Sequence, residues 1–282
     1  MFKSLYRIQD HPDRQLGEAV LNWKGVLVML LIFVGEQFIA VGVQILVEIL
    51  NAYFGTDMGL VELNLFTQLA TLALMIFFFG RFFWINLRNL FKEFKLVYIG
   101  APILCYIGSY FAEIIVNIIL TMIRGSAEQT SNNEIVTEFL GQNPVMMAFM
   151  TIVLAPVVEE AIFRAALARP MTSKKNYFVK ALGYIISVSL FSLMHVYQYA
   201  FFEYDELGAI VGFTFNANEF LSILVYIPMA IGFVICADVC KNYWGSVACH
   251  MLNNGVSVAL LLLLSLLQQN GLVDLDFIFR LV

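Results

Sequence analysis

Glu159 and Glu160 stand side by side in a long apolar stretch, with Arg164 four residues on. Ionisable groups at membrane depth are costly, usually face a bundle interior and mark a pathway or a reaction site. Glu160 and Arg164 share a helix face and can pair. Glu159 is turned by about 100° from Glu160, so one carboxylate can be held by the arginine while the other faces a cavity. A carboxylate in low dielectric suits a general base near neutral pH. His195 closes the run Phe191-Ser192-Leu193-Met194-His195, and His250 and Asn254 lie one turn apart in a later apolar segment, aimed at the same partner. The plainer alternative is a charge-compensated polar knot that fastens helices, with each histidine a satisfied core residue. The unpaired second glutamate and the histidine–asparagine turn favour chemistry.

These residues need helices to position them. Of 282 residues, 61% are hydrophobic and only 13% charged. Apolar runs of about 20 residues read as transmembrane helices. No polar/apolar alternation suggests outer-membrane strands, and helices satisfy their own backbone in lipid. The expected fold is all-α, a polytopic transmembrane bundle of seven, or at most eight, spans. They fall at 24–50, 64–80, 96–123, 144–168, 178–201, 220–240 and 245–267. Residues 1–23 form a cytoplasmic or interfacial segment and 24–282 the membrane domain. The spacing of Leu16, Ala19, Val20 and Trp23 predicts an interfacial helix, and the tail from Gln268 to Val282 lies at the interface or re-enters the membrane. The first apolar run is too long for a signal-peptide core and reads as an uncleaved span.

Basic residues set the orientation. Lys3, Arg7, Arg14 and Lys24 precede the first span; Arg81, Arg88, Lys92 and Lys95 follow the second; Arg169, Lys174, Lys175 and Lys180 follow the fourth; Lys241 follows the sixth. All lie on one side, which the positive-inside rule makes cytoplasmic, together with the N-terminus. A plasma-membrane location is expected. By these boundaries Glu159 lies about 15 Å from the cytoplasmic end of its span, and His195 lies deeper. They meet only if span five is tilted or begins later, or if span seven begins earlier. The site is placed in the cytoplasmic half.

The net charge of −5 and the lack of a basic face exclude nucleic acid as a partner. Cys105, Cys236, Cys240 and Cys249 read as core packing, with no disulfide framework. Glu36, Gln37, Glu48, Glu113 and Asn117 read as helix–helix hydrogen-bonding groups. Asp238 reads as a surface pair with Lys241.

EExxxR at Glu159–Arg164, FxxxH at Phe191–His195 and HxxxN at His250–Asn254 occur in that order on hydrophobic helices. The set resembles the CPBP (Abi) family of intramembrane proteases, which includes the endopeptidases that trim prenylated CAAX proteins. The resemblance covers about residues 144–260, and Asn133-Glu134-Ile135 is similar to the family's lead-in. It implies that Glu159 acts as general base on a water that His195 helps to hold. His250 and Asn254 would donate to the developing oxyanion, and Glu160 and Arg164 would support them. Such donors in a dry site stabilise a transition state strongly. The same residues offer a zinc alternative, with Glu159, His195 and His250 as ligands and a fourth position for water. No HExxH is present, and the glutamate mechanism without a cofactor is preferred.

The implied substrate is a membrane-associated protein or peptide reaching a conical cavity open to the cytoplasmic leaflet. A prenylated CAAX protein fits only a host that prenylates; otherwise a leader peptide, bacteriocin precursor or signalling peptide fits. Oligomeric state is not legible. A rival is a non-catalytic scaffold of the same fold that binds a lipid head group or peptide. A transporter with buried carboxylate relays is weaker, since inverted repeats are lacking.

Overall fold

In lipid a chain's N–H and C=O groups must pair within the chain, and seven apolar runs do so as helices long enough to cross a membrane. The structure, a computed structural model, describes residues 3–10, 16–126, 130–204 and 210–270. The membrane-length helices are α1 (Trp23–Phe54), α2 (Leu60–Lys92), α3 (Val97–Arg124), α5 (Pro144–Thr172), α6 (Tyr177–Met194), α8 (Ala217–Cys240) and α9 (Tyr243–Gln269). Shorter helices are α4 (Ser131–Gln142) and α7 (Tyr197–Phe201). Two small hairpins pair β1 (Tyr6–Gln9) with β2 (Glu18–Leu21) and β3 (Phe202–Tyr204) with β4 (Ile210–Phe213). The protein is an integral membrane protein with an all-α polytopic bundle. Its outer faces are apolar, with Leu31, Phe38, Phe111 and Ile115 exposed where lipid would lie.

Sequence chemistry sets the ends. The Asn22 side chain accepts from the N–H groups of Lys24 and Gly25 and caps α1, and Gly55 ends it in the left-handed region at φ 65°. Asn176 caps α6 in the same way as Asn22. In the core, α8 packs against α3, α9 and α6. A Cβ on Gly232 would fall 2.1 Å from Ser109 Oγ, so the glycine is what lets α8 and α3 approach here.

Several expectations are corrected. The segment before Trp23 is a β-hairpin, not an interfacial helix. All four β2 residues are buried, and buried Asn86 of α2 pairs with Ala19 as a strand would. Ala19 N–H donates to Asn86 Oδ1 (3.1 Å), and Asn86 Nδ2 donates to Ala19 C=O (3.0 Å). Asn89 Nδ2 donates to Gly17 C=O (2.8 Å). Apolar residues in a short run do not separate strand from helix; here the amides on α2 decide it. Span two runs on to Lys92, so Arg81, Arg88 and Lys92 sit on the helix rather than in a loop. Span five stops at Met194 rather than at 201.

Asp238 is not a simple surface pair. Arg169, buried, grips Glu18 of the hairpin (Nε–Oε1 2.8 Å, Nη2–Oε2 2.5 Å) and Asp238 (Nη1–Oδ1 2.6 Å). Tyr184 Oη donates to Asp238 Oδ2 (3.0 Å), while Lys241 Nζ stands off at 3.8 Å. A buried guanidinium needs two acids more than a solvated ammonium needs one. Of the tail from Gln268, residues 271–282 lie outside the described residues, as do Arg14 and Gly208.

The hairpin and the Arg169 cluster plug the basic-rich end of the bundle. Asn86→Ala would leave Ala19 N–H and C=O buried without partners, at about 2–3 kcal/mol. The expected result is a lower midpoint in thermal unfolding of the detergent-solubilised protein, with helix content at low temperature unchanged.

Candidate active site

The site begins with an irregular helix. Within α5 the turns at Met150–Leu154 and Ala161–Ala168 are π-type, a widening common at functional sites. Ala155 N–H bonds to Met150 C=O. The same five-residue step would pair Thr151 C=O with residue 156, which is a proline and has no N–H. Asn254 Nδ2 takes that carbonyl at 2.8 Å, and Asn253 Nδ2 donates to Asn254 Oδ1 at 3.1 Å. The amide of Asn254 is therefore fixed from both ends, with a second Nδ2–H to spare.

Glu159 and Glu160 diverge as their 100° offset requires. Glu160 is fully buried. Its Oε1 accepts from Arg164 Nη1 (2.9 Å) and lies 2.9 Å from His250 Nδ1. Arg164 is also fully buried; its Nη2 donates to Ala230 C=O (3.2 Å), and its guanidinium lies over the ring of Phe191, 4.2 Å from the centroid. That combination of fork and stack suits arginine and not lysine. A carboxylate accepts only, so His250 Nδ1 carries its proton toward Glu160, leaving Nε2 aimed away. The imidazole stacks on Phe233, with centroids 4.4 Å apart.

His195 sits one residue past the end of α6. Its backbone N–H bonds to Leu193 C=O, and its ring Nδ1 takes Phe191 C=O at 2.9 Å. The carbonyl only accepts, so Nδ1 is protonated and Nε2 presents a lone pair in the neutral ring. The ring is held between Tyr226, stacked at 4.6 Å, and Phe191. Tyr226 Oη is in turn 2.7 Å from Thr130 Oγ1, the N-cap of α4.

Glu159 Oε2 faces both histidines, 3.9 Å from His195 Nε2 and 4.0 Å from His250 Nε2. These distances are too long for direct hydrogen bonds. Glu159, His195, His250 and Asn254 all line one cavity of about 560 Å³. The four candidates thus converge, with Glu160 and Arg164 behind them. The depth mismatch narrows but does not vanish: α5 runs on to Thr172, which puts Glu159 about 20 Å from that end, α9 starts at Tyr243, which puts His250 about 10 Å in, and His195 still lies about 27 Å along α6.

The cavity does not open toward the basic-rich end, and this corrects the expected direction. Its lining climbs from Phe191, Phe233 and His250 to Asn64, Asn132 and Leu264 at the opposite end. Phe191, Phe233 and His250 lie at its inner end, and α4 supplies part of its wall toward the other end.

Some lining residues carried no sequence signal. Tyr226 and Phe233 hold the two imidazoles but read as ordinary apolar-span aromatics. Thr151 was hidden too, although Pro156 marks where its carbonyl loses a donor. The zinc alternative asks for tighter spacing. Ligand bonds of about 2.0–2.2 Å in a tetrahedron put ligand atoms roughly 3.3–3.6 Å apart. The two Glu159–histidine distances exceed that, and among the described residues no three His, Cys, Asp or Glu form a group that could hold a metal. Cys236, Cys240 and Cys249 are buried and Cys105 half-buried, and none is in a disulfide among the described residues.

Residues 141–256 match the family described as Type II CAAX prenyl endopeptidase Rce1-like. The matched stretch runs from the end of α4 to two residues past Asn254. Neither the curated proteins nor the solved structures return a match.

Proposed function

Since the chain belongs, through residues 141–256, to the CPBP family of CAAX protease-like membrane proteases, we propose that it is an endopeptidase in which Glu159 activates a water inside the bilayer. The observation that carries this is Glu159 Oε2 facing two imidazole nitrogens in one cavity. A gap of 3.9–4.0 Å is one that a single bridging water spans with two ordinary hydrogen bonds.

The water gives one proton to Glu159 and directs the other at the lone pair of His195 Nε2. The hydroxide adds to the scissile carbonyl, and Glu159 returns its proton to the leaving amine. The oxyanion takes the second Nδ2–H of Asn254. It also takes a hydrogen bond from His250 Nε2 when that ring carries both protons, with Nδ1–H held by Glu160. No step passes through a metal. The N-terminus is cytoplasmic by the positive-inside rule, in the plasma membrane, so the cavity faces the extracytoplasmic side. The substrate is a membrane-associated protein or peptide.

Asn254 gives the sharpest kinetic test of the oxyanion role. Asn254→Ala is expected to lower kcat by about 10²-fold with KM nearly unchanged. Steady-state cleavage of a fluorogenic peptide in detergent reads both. A rise in KM alone would make Asn254 a substrate-binding group instead.

A further inference from the structure

Glu113 of α3 also lines this cavity and makes no hydrogen bond or ion pair among the described residues. Its height is set by the α3–α8 contact. Ser109 meets Gly232, and Phe233, next along, stacks on His250. Glu113 lies four residues, about 6 Å, beyond Ser109 toward the opening. It therefore stands about one turn outward from the catalytic level. Among mostly apolar residues, the amides Asn64, Gln68, Asn132, Asn133 and Asn253 line the same cavity. Gln68 Oε1 is buried there with no partner, an acceptor waiting for an N–H. No lysine or arginine lines the cavity among the described residues.

We propose that Glu113, with Gln68 Oε1 beside the same passage, forms a subsite for a cationic group of the substrate. That group is a lysine or arginine side chain, or an N-terminal amine, about two or three extended residues from the scissile bond, at roughly 3.3 Å per residue. The amides hold the peptide backbone, since each offers both a donor and an acceptor. The same wall repels a free C-terminal carboxylate close to the cut, the group that a CAAX substrate carries. In a cavity of low dielectric a carboxylate facing another with no cation is strongly disfavoured. The inference deepens the protease reading and rests on it for the position of the cut, but binding alone can test it.

The probes are fluorescein-labelled apolar decapeptides with one lysine or norleucine at a fixed position, and with an amidated or free-acid C-terminus. Binding is read by anisotropy to the detergent-solubilised Glu159→Gln protein, in which Glu113 is the remaining cavity carboxylate and no cleavage occurs. The lysine peptide is expected to bind at least tenfold more tightly than its norleucine twin, and the amide more tightly than the acid. Glu113→Gln in the same background should erase the lysine preference and leave norleucine binding unchanged. Equal binding of the two twins, or a preference that survives Glu113→Gln, overturns the subsite. Because the twins are first compared with Glu113 intact, poor folding of the variant cannot rescue the idea. If the preference holds while the parent protein cuts no peptide, the subsite stands and the protease reading fails.

Discussion

Glu159→Gln is expected to abolish peptide cleavage, by about 10³-fold or more, while the protein remains folded. The amide has nearly the shape of the carboxylate but cannot take a proton from water, and loss of a positioned general base costs about 10²–10⁴-fold. The structural cost is small because Glu159 Oε2 makes no direct hydrogen bond and its nearest partners are 3.9 and 4.0 Å away. The exchange takes a charge off a buried oxygen that has no hydrogen-bond partner, so it breaks no bond of the fold. Rates of peptide cleavage beside a thermal melt of the two proteins check both halves. A variant that is inactive because it is unfolded would show itself in the melt.

Arg164→Met is expected to damage stability more than any other single change. It leaves the fully buried Glu160 with His250 as its remaining partner and strips the guanidinium from the Phe191 ring. Breaking a buried pair from one side costs about 3–5 kcal/mol, whereas replacing both partners is often close to neutral. Arg164→Met should therefore melt far below the parent, and Glu160→Gln with Arg164→Met should recover most of the loss. The two residues touch, so their effects are not additive. Activity should stay low in the double variant, because His250 Nδ1 loses the carboxylate that orients it. Recovery of stability without recovery of activity separates the two roles. Arg164→Lys should not substitute, since an ammonium can neither fork between Glu160 and Ala230 C=O nor lie flat on Phe191.

The sequence carried the site better than its surroundings. The 100° divergence of Glu159 and Glu160, and the shared face of His250 and Asn254, follow from helix geometry alone and hold in the fold. So do the seven spans, since hydropathy reads burial in lipid directly. What failed depended on contacts between distant segments. Leu16 to Trp23 looked helical, but Asn86 and Asn89, nearly 70 residues away, impose strand pairing on them. Asp238 was assigned to its neighbour Lys241 alone; that pair is present at 3.8 Å, but Arg169, which also holds Glu18 of the hairpin, and Tyr184 bind Asp238 more closely. The direction of the cavity was misjudged for the same reason: which end of the bundle it lies toward depends on helices far apart in sequence, α2, α4 and α9, that line it together. Glu113 was read as a helix–helix hydrogen-bonding residue, since nothing in its local pattern tells a packed face from a cavity wall.

The reversed opening has a consequence for substrate choice. If the basic end is cytoplasmic, a prenylated cytoplasmic C-terminus approaches from the closed side and carries a carboxylate into an anionic cavity. A basic peptide exposed on the other side meets an open mouth and Glu113.

The most direct test of the central claim is a comparison of protein N-termini in membranes that contain the parent chain or its Glu159→Gln variant at equal abundance. The account predicts a small set of new N-termini present with the parent and missing with the variant, with cuts near an apolar segment on the extracytoplasmic side. The same set of N-termini in both membranes would contradict it.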